Sequence, residues 1–278
     1  MIKPVRSGAD LHMHSFYSDG SLPPRKVMEA CAAQGLEIAS LTDHDTVEGL
    51  REAEEAAGDL GIEFVPGCEI SVDWHGQDLH LLGYFLDAQA AALTGYLRAM
   101  EGMRRERVGK VVERLRGLGV EVTMESVLSH AKAAASVGRP HVAQALVANG
   151  FVSSYHEAFA RYLGDRAPAF VPKETASLPE VLAVVRGAGG CAVLAHPGIY
   201  DLTEVVPEME RLGLAGLEVH HPSHSPEQIR SLLELAEQKE WVATGGSDFH
   251  GIDGNDTPVG SHRVAREVVE ELKRRTPR

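Results

Sequence analysis

Ligand-type side chains recur at the ends of successive strand-like runs, and this recurrence constrains the fold more than any other feature of the chain. The first run contains Asp10-Leu-His-Met-His14, which sets His12 and His14 two residues apart. Residues two apart in a strand project to one face, so both imidazoles reach one point. Asp19 follows in a Ser-Asp-Gly-Ser turn that brings a carboxylate back towards them. His44 follows the run 37–42, Glu69 lies in the run 62–71 and His80 in the run 79–85. His196 follows the run 191–195, and Asp248 and His250 follow the run 241–245. A single buried histidine is usually a satisfied core residue. Ionisable groups gathered at successive strand ends all need partners once buried, and a metal cluster supplies those partners together. Imidazole mixed with carboxylate suits manganese, iron or zinc. Asp43 and Asp45 flank His44 and are expected to orient imidazoles from behind.

Between these runs the spacing predicts helices over about 24–34, 46–60, 178–187, 203–212, 225–239 and 264–275. A further strand is expected over 216–220, and His75-Gly-Gln77 reads as a hairpin-like turn. Alternating strands and helices imply a parallel α/β layout, closed or nearly closed into a barrel. In such barrels the C-terminal strand ends form the active face, and the last helix is expected to close the barrel. The character changes near residue 90. A long Arg-rich helix over 90–117 and shorter ones over 123–134, 140–150 and 153–163 follow, with no strand before about 169. Residues 1–89 and 169–278 are therefore expected to form the barrel, and 90–168 an inserted all-helical module covering the active site.

Charge separates the two parts. The chain carries a formal charge of −13, yet 98–173 holds 12 Lys/Arg against 7 Asp/Glu. A positive insert on a negative host points to an anionic ligand. Most of 98–116 reads as a solvated helix with pairs such as Glu106–Lys110. Arg139 and Lys173, in Gly/Pro-flanked breaks, are less easily explained that way. The acidic total excludes a protein that coats duplex DNA. Cys31, Cys68 and Cys191 share no close spacing and read as reduced, buried thiols of a cytoplasmic protein. Met1-Ile-Lys-Pro-Val-Arg6 has no apolar signal-peptide core, no run is long enough for a membrane span, and no obligate protein partner is evident.

His12-Met-His14, Thr42-Asp-His44-Asp, Gly67-Cys-Glu69, Ala195-His196-Pro and Gly246-Ser-Asp248-Phe-His250 together resemble the motifs of the polymerase and histidinol phosphatase (PHP) family. The resemblance runs in order along almost the whole chain. It implies a distorted (β/α)7 barrel with a multinuclear metal site. It further implies one ion on His12, His14, Glu69 and Asp248, a second on Glu69, His80 and His196, and a third on Asp19, His44 and His250, some members binding two ions. In the insert and beyond, Val137-Gly-Arg139-Pro-His141, Phe170-Val-Pro-Lys173-Glu and His220-His-Pro-Ser223-His224 are similar to a PHP subgroup. That subgroup includes nucleoside 3′,5′-bisphosphate phosphatases and the 5′→3′ exoribonuclease called RNase AM.

The chemistry agrees with a phosphoesterase using two or three divalent ions, manganese first among them. Clustered metals acidify water and neutralise phosphoryl oxygens during in-line attack. The nucleophile is accordingly assigned to a hydroxide bridging the metals at Glu69, His196 and Asp248, not to Ser or Cys. No nucleophile elbow or P-loop is present. A second phosphate needs its own site. Arg139 offers a planar fork and Lys173 a point charge, with Ser223, His224, His141 and His221 as further contacts. Of His220 and His221, His221 is expected to face inward, and His141 alternatively caps a helix. The expected reaction removes the 3′-phosphate of a nucleoside 3′,5′-bisphosphate, or trims short 5′-phosphorylated RNA from its 5′ end. The competitors are a histidinol-phosphate-type phosphomonoesterase, a non-catalytic metal-bound scaffold, and an amidohydrolase. The last usually wants a bridging lysine, and no lysine sits in these strand-end motifs.

Overall fold

A computed structural model describes residues 7–131, 136–173, 175–251 and 257–277. Seven strands form one sheet in sequence order: β1 (Ala9–Asp10), β2 (Ile38–Leu41), β3 (Glu63–Trp74), β4 (Gln77–Tyr84), β5 (Cys191–Leu194), β6 (Gly216–His220) and β7 (Val242–Gly245). The sheet curls until its two edges meet. Leu11 N donates to Gly245 O at 3.3 Å, and Met13 bridges Phe249 in parallel.

The parallel layout expected from the sequence needs one correction. β4 runs antiparallel to both β3 and β5. The reason is local: Trp74 pairs with Gln77, leaving only His75 (φ 50) and Gly76 (φ 85) in the turn. Two left-handed residues make a tight hairpin, and a parallel crossover needs a dozen or more. β3 is also longer than expected, so Glu69 lies mid-strand rather than at its end. His80 faces the same rim from the first half of the reversed β4, opposite Ser71.

A second correction concerns the first strand. Regular pairing stops at Asp10: 11–14 bonds to the end of β7 and the loop after it, and on the β2 side accepts a backbone bond only from Thr42 N, at Met13 O. Asp248 N donates to His12 O at 2.9 Å, and His14 N donates to Phe249 O at 2.8 Å. That crossing is close enough that a Cβ at Gly246 would lie 2.3 Å from His12 Cβ. The extended backbone nevertheless keeps His12 and His14 on one side.

Helices α1 (Pro24–Ala33) and α2 (Leu50–Leu60) cover one flank of the barrel. Helices α7 (Leu178–Gly187), α8 (Val205–Arg211) and α9 (Pro226–Gln238) cover another. The last helix, α10 (Arg266–Arg274), packs Val269 and Leu272 into a cluster with Ala9, Ile38 and Val65 near the starts of β1, β2 and β3 and Tyr84 at the end of the reversed β4. It therefore plugs the end opposite the histidines.

Helices α3 (Ala91–Gly117), α4 (Met124–Ala131), α5 (Arg139–Ala148) and α6 (Tyr155–Ala158) lie between β4 and β5, with a π-helical turn at Phe159–Leu163 after α6. They bury a core of their own around Val108, Val112, Leu115, Val142 and Leu146. The start of α3 belongs to the barrel core through Leu93 and Leu97. One rigid helix thus joins two cores. The N-terminal hexapeptide without a signal-peptide core, Glu174 of the Lys173 motif and the 132–134 end of the second insert helix lie outside the described residues.

Candidate metal centre and anion pocket

Glu69 is the hub. It is 1% exposed and touches five imidazoles. Its Oε1 lies 2.7 Å from His80 Nδ1 and 3.0 Å from His196 Nε2. Its Oε2 lies 3.1 Å from His12 Nε2, 3.3 Å from His14 Nε2 and 3.2 Å from His44 Nδ1. Local backbone explains the position: Glu69 N donates to Thr42 O, and Asp45 N donates back to Glu69 O, which locks β3 to the end of β2.

Around this hub the donors gather into overlapping sets whose ligand atoms lie within 4.8 Å of one another. His12, His14, Glu69 and Asp248 form one set, as the family resemblance implies. Asp19, His44 and His250 form another, joined by His14. His44, Glu69 and His80 form a third, so His44 stands where His196 was expected, while His196 touches the other side of Glu69. His12, Glu218 and His221 form a fourth.

Glu218 is the residue the sequence reading missed. It is fully buried, accepts from His12 Nδ1 at 2.9 Å and accepts from the backbone N–H of His196 at 2.8 Å. A carboxylate on Nδ1 fixes that nitrogen as the donor and orients Nε2 towards Glu69 and Asp248, the usual way a ligating imidazole is positioned. The period-2 pattern of β6 was the available signal, since an alternating strand that turns one residue inward turns its second neighbours inward too. A register shift between Glu218 and His220 then breaks the alternation. It turns His221 inward, 3.3 Å from Asp248 Oδ2, and leaves His220 half-exposed.

Asp43 and Asp45 do not hold imidazoles. Asp43 accepts from Ser15 N, Ser15 Oγ and Ser18 Oγ at 2.6–2.7 Å and so fixes the loop carrying Asp19. Asp45 accepts from Ser71 and from Arg104 of α3. Each points away from His44 because the alternation of the chain sends neighbours to opposite sides. Asp45 (φ 48), His196 (φ 33) and Asp248 (φ 51) all have left-handed backbone. Non-glycine residues hold that conformation at a cost, and such residues concentrate at functional sites.

The donors fit divalent cations on two counts. Both ring nitrogens of His14, His44 Nδ1 and His221 Nε2 are buried without a hydrogen-bond partner among the described residues. Orphans of this kind are rare in protein interiors. Charge points the same way. Burial pushes the carboxyls of Asp19, Glu69, Glu218 and Asp248 up, yet the surrounding histidines hold all four below the ordinary range. Burial pulls His14 down, yet Asp248 and Glu69 raise it to about 10; His44, where burial dominates, falls to about 3. Four carboxylates at one rim, Glu69 and Glu218 buried and Asp19 and Asp248 half-buried, require positive charge.

A cavity of about 150 Å³ opens beside Asp19, His44 and His80 and is walled by Arg104, Arg107, Arg139 and Lys173. It continues past His196 and Tyr200 into a groove of about 1030 Å³. Reading 98–116 as mainly solvated overlooked Arg104 and Arg107, which are half-buried on the same face of α3 as Met100, Val108 and Val111. Their i, i+4 spacing from Met100 and Val111 was the signal. Arg139, at the first position of α5, lies over the rings of Phe159 and Phe170 and donates to Leu163 O and to Asp165 Oδ1 at 2.9 Å. Lys173 is held by Ser71 Oγ and by Asp78 at 3.1 Å. His141 Nδ1 accepts from Gly138 N, as a helix cap does, while its ring lines the cavity. Ser223 is exposed and bonds His221 Nδ1. Both ring nitrogens of His224 are engaged, with Val219 O and Gly198 N, so it braces the turn after His196.

The sequence pattern of the PHP domain matches residues 10–163. The chain belongs to the PHP family. This PHP protein is 35% identical over 246 residues to a 5′-3′ exoribonuclease of Haemophilus influenzae, covering 87% of this chain and 89% of that one. It is 33% identical over 275 residues to a 3′,5′-nucleoside bisphosphate phosphatase of Chromobacterium violaceum, covering 96% of each. Its fold is similar, with a TM-score of 0.90 and 32% identity, to a chain of Bifidobacterium adolescentis described as a metal-dependent phosphoesterase, covering 99% of this chain and 98% of that one. The PHP barrel, its reversed β4 included, is therefore a phosphoesterase scaffold.

Proposed function

We propose that this protein hydrolyses the 3′-phosphate of nucleoside 3′,5′-bisphosphates, giving a nucleoside 5′-monophosphate and phosphate. The observation that carries the reading is the joining of opposite charges in one cavity. Asp19, His44 and His80 border it on the barrel side and four cations wall it on the insert side. A substrate with two phosphates has one for each side. The name of the Chromobacterium violaceum relative agrees with such a substrate.

Two or three divalent ions are assigned to His12, His14, Asp19, His44, Glu69, His80, His196, Asp248 and His250, with manganese first and iron or zinc next. Ions bound there supply an acidified water and neutralise phosphoryl charge. The protein's own residues do the rest. Glu69 fixes five imidazoles in one arrangement. Glu218 sets the tautomer of His12, and Tyr200 Oη, 3.0 Å from His196 Nδ1, steadies His196. The insert, 90–168, covers the rim and lowers the local dielectric, which strengthens the hold on a phosphate. Trimming of short 5′-phosphorylated RNA is a second reading, favoured by the groove that leads out past Tyr200 and Ile199.

Among the described residues no helix is long and apolar enough to cross a membrane. The three cysteines are free and buried, which supports placing the protein in a reducing, cytoplasmic setting. The deciding experiment is phosphate release from a 3′,5′-bisphosphate, a 3′-monophosphate, histidinol phosphate and a short 5′-phosphorylated RNA, side by side. The bisphosphate is expected to turn over fastest. Equal rates on histidinol phosphate would reject this reading.

A further inference from the structure

Asp10 is fully buried, bonds no imidazole and, among the described residues, forms no ion pair. A carboxylate buried without a cation is unfavourable unless hydrogen bonds replace the lost water. Backbone amides do so here. Oδ1 of Asp10 accepts from His12 N at 3.3 Å and from Ser247 N at 2.9 Å, and Oδ2 accepts from Gly260 N at 2.7 Å. These amides come from separate stretches: the first strand run, the loop after β7 and the turn at 258–261.

Two of the donors sit where the sheet's ladder gives out. Leu11 N donates to Gly245 O, and bonding between the same stretches resumes where Asp248 N donates to His12 O. Between those bonds the chain leaves β7 and crosses over His12. His12 N and Ser247 N fall in the gap, both residues are fully buried, and Asp10 supplies the acceptor. A buried amide without an acceptor costs free energy, and a carboxylate is a strong one. Ser247 directly precedes Asp248, whose left-handed backbone (φ 51) is held at a cost, and His250 follows in the same loop.

We infer that Asp10 is a positioning residue for the metal centre. Through Ser247 it fixes the loop that presents Asp248 and His250, and through Gly260 it ties the returning chain to the first strand. This rests on the metal reading of the rim and refines it, because the effect is selective. The set of His12, His14, Glu69 and Asp248 and the set of His14, Asp19, His44 and His250 both depend on that loop. Glu69, His80 and His196 do not.

The test is manganese content after equilibrium dialysis, with folding followed by circular dichroism. Asp10→Asn keeps the shape of the side chain and turns one accepting oxygen into a donor. The variant is expected to bind the ion on Glu69, His80 and His196 within about twofold of the parent and the other ions about 10- to 100-fold more weakly. Manganese bound as in the parent would overturn the inference, as would an equal weakening of every ion, the mark of a residue that only supports the fold. Hydrogen exchange of the parent protein keeps the test decisive if the variant does not fold. After chelator treatment the amides of Ser247 and Gly260 are expected to stay protected, because Asp10 holds them without ions; exchange at the rate of an open loop would overturn the inference. A parent protein that binds no manganese would reject the metal reading of the rim, while the exchange measurement still decides whether Asp10 holds the loop.

Discussion

The barrel rim and the helical segment between β4 and β5 hold charge in opposite ways. At the rim, carboxylates and imidazoles sit on strands, strand ends and adjoining turns, buried or half-buried, and among the described residues several of their polar atoms find no hydrogen-bond partner. Beneath the insert, guanidinium and ammonium groups come from a helix, a helix start and a loop, and all but one are neutralised by a carboxylate. The rim is thus incomplete without cations, whereas the insert is nearly self-sufficient and keeps one position open. The difference teaches that the rim has donors left over for cations, whereas the cations opposite it, Arg107 excepted, already hold carboxylates.

The largest expected effect breaks the rim. Asp248→Asn removes the carboxylate shared by His12, His14 and His221 and should lower turnover at least about a thousandfold with an unchanged melting temperature. Near-parent turnover in metal-replete protein would contradict the ligand assignment. On the insert side, Arg104→Met leaves Asp45 buried and unpaired and should cost about 3–5 kcal/mol by urea unfolding. Arg107→Gln, by contrast, removes a cation crowded by Arg139 and Arg104 and should leave stability equal or higher. Equal destabilisation by the two would erase the contrast between paired and unpaired arginines.

Smaller effects sharpen the comparison. Glu218→Gln should weaken metal binding about 10- to 100-fold, measured by competition with a fluorescent chelator, because it releases His12 from its tautomer. The last prediction concerns pH. Burial lowers His14, but Asp248 and Glu69 raise it from 6.5 to about 10. A group raised in the folded state contributes its full stability below 6.5 and loses it as pH climbs through 10. Chelator-treated protein should therefore melt progressively lower between pH 6.5 and 10, by a few degrees, and metal-loaded protein should not. Parallel melting curves for the two forms would show that cations do not take the place of those protons.

The rim was readable in the sequence because strand periodicity is rigid. His12 and His14 share a face whatever the strand pairs with, and that survived the loss of regular pairing after Asp10. The direction of β4 was readable too, in the two-residue turn at His75-Gly76, but it was not drawn from it. Glu218 was within reach of the period-2 pattern of β6, but only the bulge, which depends on pairing with β7, lets it share a side with the inward-facing His221. Arg104 and Arg107 were hidden for a different reason. In a helix with Arg at 98, 104, 105, 107, 114 and 116, only packing on the barrel selects the inward pair. Propensity and net charge describe the helix without saying which face is covered.

The claim on which everything depends is that Glu69 and its five imidazoles exist to hold divalent ions. Crystals of the protein grown with manganese, measured at the manganese absorption edge, test it directly. Two or three anomalous peaks between Glu69, Asp248, Asp19 and the surrounding histidines are predicted. A rim without peaks, its histidines hydrogen-bonded to carboxylates and water alone, would contradict it.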